Sequence, residues 1–190
     1  MASAFSHILV SGTIGATFRP FMRQPRFWLI GAACSVLPDA DVLGFWWGLP
    51  SEHLLGHRGL THSLAFAAAL STALVLLLFR GPLWTPHRSR LFGYVFCCTA
   101  SHGVLDAMTN GGLGVAFLAP FDSTRYFFPV RPIEVSPLSV EAFFTGWGAQ
   151  VLLSEAIWIW LPCLVVLGLL AGIRRPGRSP RSEGGRPIGQ

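Results

Sequence analysis

Residues 64–79 read Leu-Ala-Phe-Ala-Ala-Ala-Leu-Ser-Thr-Ala-Leu-Val-Leu-Leu-Leu-Phe, sixteen positions without a charge. Further apolar runs cover 27–47, 91–108 and 143–173. A bilayer core is about 30 Å thick and offers the backbone no water, so a segment inside it must satisfy its own N–H and C=O groups. Within a single segment only the helix does this. The expected fold is therefore all-α: a polytopic transmembrane helical bundle with 4–5 spans. The 27–47 run is interrupted by Leu37-Pro38-Asp39-Ala40-Asp41. The 143–173 run has room to span with tilt, and Pro162 is placed to kink it. A shorter run, 5–18, is rich in Gly, Ser and Thr. It is either a fifth span or a segment packed against the others.

Composition agrees. Charged residues are 12% of the chain and the mean hydropathy is +0.52, whereas a soluble domain is about 25% charged. The net charge of +5 comes from arginine, because the chain has no lysine. A basic balance can signal nucleic acid, but these arginines fall in clusters between apolar runs. Arg19, Arg23 and Arg26 separate the first two runs, Arg80, Arg88 and Arg90 the third and fourth, and Arg174, Arg175, Arg178, Arg181 and Arg186 follow the last. Five alternating spans with the N-terminus outside put all three clusters in the cytoplasm, the usual positive-inside bias. No nucleic-acid partner is expected. Residues 1–173 form one membrane-embedded domain and 174–190 a flexible basic cytoplasmic tail. The N-terminus lacks the basic start of a cleavable signal peptide and is expected to be retained. Cys34, Cys97, Cys98 and Cys163 lie in apolar runs with no CxxC spacing and read as buried thiols.

Ionisable residues inside such runs are costly, and usually mark a site. His102 and Asp106 close the fourth run, four apart and so on one helix face. A single metal ion can be gripped by both. Asp39 lies about 18 Å along its helix from Phe27, His102 about 16 Å from Leu91 and Asp106 about 22 Å. On the arginine-derived orientation all three fall in the outer half of the bilayer. His57-Arg58-Gly59-Leu60-Thr61-His62-Ser63 and His7 fall at that side too. Each element has a plainer reading. Asp39 can cap a helix after a proline turn, Thr61 can cap the helix that follows it, and Arg125 can pair with Asp122 in a loop. Glu155, inside the last run, faces the bundle interior as either a structural or a functional group. His53 and His87 read as solvated loop residues.

Imidazole and carboxylate without thiolate suit Zn²⁺, with Mn²⁺ and Fe²⁺ as further possibilities. The candidate metal ligands are His7, Asp39, His57, His62, His102 and Asp106. With Asp41 they are numerous enough for two ions, with an aspartate bridging. Two ions about 3.5–4 Å apart suit in-line phosphoryl displacement. Arg58 and Arg125 offer guanidinium forks for phosphate oxygens.

The series His7, Leu37-Pro38-Asp39-Ala40-Asp41, His57-Arg58-Gly59-Leu60-Thr61-His62-Ser63, Ser101-His102-Gly103-Val104-Leu105-Asp106-Ala107-Met108-Thr109 and Pro120-Phe121 resembles the YdjM/YbcI family of bacterial inner-membrane proteins. The resemblance covers roughly residues 5–130. It implies a metal-dependent hydrolase of the inner membrane. A more distant similarity to zinc-dependent phospholipase C implies phosphoester substrates and puts Asp39, His57, His62, His102 and Asp106 on the metal. That family's HxxxD pairs are repeated; this chain has one.

The expected function is thus hydrolysis of a phosphoester, on a lipid or lipid-linked phosphate, at a site opening toward the periplasm or outer leaflet. Asp41, Arg58 and Arg125 are its candidate catalytic residues. A metal-ion or proton transporter and a protein with a purely structural metal are the competing expectations.

Overall fold

A computed structural model describes residues 1–173 apart from 138 and 145. The tail expected at 174–190, with its arginine cluster, lies outside the described residues. The described chain is all-α. Helix α1 is Ala4–Gly15 and α2 is Pro25–Val36, which runs on as a 3₁₀ helix over Leu37–Trp47. Helix α3 is Leu64–Leu78 and α4 is Arg88–Ala107. After a long loop come the short α5, Val140–Phe143, then α6, Gly146–Glu155, a π-helical turn over Ala156–Trp160, and α7, Leu161–Ile173.

Among the described residues, two continuous helical stretches are long and apolar enough to cross a membrane, Pro25–Trp47 and Gly146–Ile173. This is fewer than the 4–5 expected from the apolar runs. Helices α1 and α3 are apolar but have only 12 and 15 residues, and at about 1.5 Å per residue neither reaches the thickness of a hydrocarbon core. Pro25 enters at the first turn of α2, where its missing N–H costs nothing. Only 11% of the most apolar window in Gly146–Ile173 is buried. Leu153, Ile157, Leu164 and Leu169 stand exposed along it, as suits a helix solvated by lipid.

Helices α1 to α4 pack against one another, with α4 touching each of the other three. One end of this bundle is aromatic. Phe21, Phe27, Phe79, Trp84, Leu91 and Tyr94 are buried together there. Tyr94 stacks on Phe27 at 3.9 Å and donates to the Phe27 carbonyl. Gly31 makes the room: a Cβ at that position would sit 1.8 Å from Tyr94 Oη. The polar cluster lies at the other end.

Glu155 ties the last long helix to this bundle. It is fully buried and accepts from Ser3 N–H, Ser3 Oγ and Ser6 Oγ, and Trp160 Nε1 donates to Ser6 Oγ. Three donors satisfy the carboxylate that the sequence placed inward. Of the four cysteines, Cys34, Cys98 and Cys163 are buried as expected. Cys97 is exposed, because the residue after a core-facing helical position turns about 100° away.

Candidate metal centre

The break at Leu37-Pro38-Asp39-Ala40-Asp41 creates the first wall of the site. Tightening from α to 3₁₀ would hand the Ser35 carbonyl the N–H of residue 38, but residue 38 is proline and has none. The Ser35 carbonyl instead accepts from His102 Nδ1 at 2.7 Å. That bond assigns the proton to Nδ1 and leaves Nε2 as a lone pair facing the cluster. Asp39 does not cap the turn. Both of its carboxylate oxygens are buried without a hydrogen-bond partner.

The second wall is the loop before α3. Ser63, not Thr61, caps α3 by accepting from Phe66 N–H. Thr61 turns inward and donates to Asp41 Oδ2 at 2.7 Å. Asp41 Oδ2 also lies 3.1 Å from His62 Nδ1, and Asp41 Oδ1 lies 2.8 Å from His57 Nδ1. Asp41 therefore fixes two imidazoles at once. Held at Nδ1, His62 presents Nε2 to Asp39 Oδ1 at 3.7 Å and to Asp106 Oδ2 at 3.6 Å.

The third wall is α4. His102 Nε2 lies 3.2 Å from Asp39 Oδ1 and 3.9 Å from Asp106 Oδ2. Asp106 is fully buried and accepts from Ala2 N–H at 2.8 Å and from Arg58 Nε at 3.2 Å. Arg58 is itself 1% exposed. Its remaining bonds go from Nη1 to the Gly111 carbonyl and from Nη2 to Thr109 Oγ1. Its backbone sits at φ 64°, a left-handed conformation that costs a non-glycine residue about 1–2 kcal/mol. The same residue's N–H donates to Asp41 Oδ2. Gly112, at φ 85°, gives Arg58 its space, since a Cβ there would lie 2.6 Å from Nη1. This is the use of the glycine-rich turn at 110–114.

Asp39, His62, His102 and Asp106 thus each offer one atom to a common point, all four atoms lying within 4.8 Å of one another. Such a group can hold a metal ion. His7 lies beside it. Its ring stacks on His102 at 3.8 Å, and its Nε2 is 3.7 Å from Asp106 Oδ1. Asp41, His57 and His62 make a second, less buried group that shares His62. Arg125 does not pair with Asp122. It donates to the carbonyls of Ser51, His57 and Gly114, and so ties down the loop carrying His57.

The electrostatics favour a cation. Three carboxylates, Asp39, Asp41 and Asp106, converge there, and the cations facing them are Arg58 and, at Asp106, the Met1 amino group. At His62, burial opposes protonation. The Asp106, Asp39 and Asp41 carboxylates outweigh it and raise its pKa to about 10, so without metal a proton supplies the positive charge that a bound cation would bring. Among the described residues, the buried side-chain N and O atoms without hydrogen-bond partners are His7 Nδ1 and Nε2, Asp39 Oδ1 and Oδ2, His62 Nε2 and His102 Nε2. Each such atom costs about 1–3 kcal/mol or more if nothing binds it, and here they converge on one place.

Comparison with known proteins gives the same grouping. The chain matches the YdjM inner membrane protein family over residues 1–177. It belongs to that family. It is 36% identical to the inner membrane protein YbcI of Escherichia coli (strain K12) over 176 residues, which is 92% of this chain and all of that protein. No solved structure matches it significantly. Family membership and the two apolar helices make it an inner membrane protein, in keeping with the expected bilayer partner.

Reasoning from residue types had no way to find three participants. They are the Ser35 carbonyl, the Ala2 N–H and the Gly111 carbonyl, and backbone groups leave no trace in composition. Thr61 and Thr109 did sit inside the motifs, and their hydroxyls were the available signal.

Proposed function

We propose that this protein is a membrane-bound metal-dependent hydrolase of phosphoesters, with one divalent ion held by Asp39, His62, His102 and Asp106 and flanked by His7. The convergence of unpartnered buried ligand atoms carries this reading. A donor set of imidazole and carboxylate suits Zn²⁺ first, then Mn²⁺ or Fe²⁺. A second ion would fall to Asp41, His57 and His62. One ion is the better fit, because His62 Nδ1 already faces Asp41 and only Nε2 is free for metal.

A bound divalent ion supplies water of lowered pKa and draws charge from a phosphoryl oxygen. The chain's own residues do the rest. Asp41 orients His62, and Arg58 and Ala2 N–H orient Asp106. Three of the five Arg58 N–H donors are engaged, which leaves two for a phosphate oxygen. His57, held at Nδ1 by Asp41, keeps its other nitrogen to hold or release a proton at the leaving oxygen. Arg125 positions the His57 loop. Arg23, Arg26, Arg80, Arg88 and Arg90 flank the aromatic end, so that end is cytoplasmic. The polar end then opens toward the periplasm or outer leaflet.

One observation favours a second reading. The four ligands are almost closed off, with side chains 0–8% exposed, and closed sites are typical of structural metals. Assays on protein purified without chelators separate the two. The hydrolase reading expects phosphate release from p-nitrophenyl phosphate or phosphatidic acid, lost in His102→Ala and Asp106→Asn. Metal-loaded wild type that hydrolyses neither, yet unfolds more readily when stripped of metal, would support the structural reading and defeat the hydrolase.

A further inference from the structure

Two cavities meet beside the metal centre. The first, about 180 Å³, is lined by His57, Arg58, Ser51 and Ser136 among others. Its walls reach the metal ligands, since Arg58 bonds Asp106 and His57 bonds Asp41, which in turn holds His62. The second, about 270 Å³, is lined largely by Phe5, Phe143, Phe144 and Pro137. Met1 and Ser136 line both, so the cavities are neighbours.

We propose that the two cavities form one divided site for an amphiphilic phosphoester: the phosphate beside His57 and Arg58, and a single hydrocarbon chain among Phe5, Phe143 and Phe144. A small soluble phosphoester would use only the first. The apolar compartment opens outward, with Phe5 64% and Phe144 83% exposed. In water such a patch would be a liability. In an inner membrane protein it continues along α1 to Ile8, one turn from Phe5 and also exposed. A chain can therefore enter from the bilayer without leaving apolar surroundings, while its phosphate meets His57 and Arg58 in the first cavity. The occupant is a membrane lipid phosphate. This rests on the phosphoester reading for the phosphate's position only; the chain compartment stands on its own lining.

The test uses the full chain in nanodiscs, loaded with zinc, titrated with two non-hydrolysable probes, dodecylphosphonate and ethylphosphonate. Phe143→Trp fills the apolar cavity, and Phe144→Asp charges its exposed rim with little risk to folding. Each is expected to weaken dodecylphosphonate about tenfold, the equivalent of roughly two buried methylenes, with ethylphosphonate and metal content unchanged. Partition into the nanodisc is common to all proteins and cancels in the comparison with wild type. Unchanged dodecylphosphonate affinity in both variants, or equal losses for both probes, would overturn the proposal. If the probes behave as expected but dodecyl phosphate is not hydrolysed, the hydrolase reading fails and the lipid site stands.

Discussion

The two ends of the α1–α4 bundle are built from the same four helices and obey opposite rules. At the aromatic end, among the described residues, no buried side-chain N or O atom is left without a partner. Tyr94 Oη meets the Phe27 carbonyl, and Phe21, Phe79 and Trp84 close around it. At the other end, buried polar atoms of His7, Asp39, His62 and His102 have none. One end is complete as folded. The other leaves buried ligand atoms that a bound cation would satisfy. The choice of helix does not explain the difference, since both ends belong to the same four helices. What separates them is the break at Pro38 and the loop 57–63, which admit carboxylates and imidazoles where the aromatic end admits rings.

Removing a ligand should break the comparison most severely. His102→Ala or Asp106→Asn is expected to abolish bound metal and to reduce phosphate release by at least about a hundredfold, with far-ultraviolet circular dichroism still helical. Retained metal in either variant would remove the ligand assignment. Truncating the aromatic end should do the reverse. Phe27→Ala is expected to cost about 3–5 kcal/mol of stability, read by chemical denaturation in detergent, while the folded fraction keeps its full metal content. A loss of metal there would mean the two ends are not independent.

Smaller changes sharpen the contrast. Asp41→Asn leaves the ligand atoms in place but weakens the hold on His62 and His57. Metal affinity should fall about 10- to 100-fold, seen in a chelator competition, with full occupancy recovered at high metal. Occupancy that never recovers would make Asp41 itself a ligand. Tyr94→Phe removes one hydrogen bond from the aromatic end and should cost about 1 kcal/mol, with no change in that competition.

The fold class was legible in the apolar runs, because a chain in lipid has few ways to satisfy its backbone. Which residues face the site was legible in part. Four-residue spacing puts His102 and Asp106 on one face of α4, and the cost of buried carboxylates singles out Asp39 and Asp41. Other features depend on chain geometry that no spacing encodes. Helices α1 and α3 end inside their apolar runs, α1 where the chain tightens into turns at Thr17 and Phe18 and α3 where Phe79 leaves helical geometry. Arg58 looks like a loop cation in the sequence, yet its left-handed backbone buries it between Asp106 and the Gly111 carbonyl. The partners of Asp106 and Glu155 sit 104 and 152 residues away at the N-terminal segment. Only the folded chain brings Ala2 and Ser3 to them.

The most direct measurement is elemental analysis of detergent-purified protein prepared without chelators, wild type beside His102→Ala. One divalent ion per wild-type chain and none in the variant is the predicted result. Wild-type protein that is folded and metal-free would contradict the account.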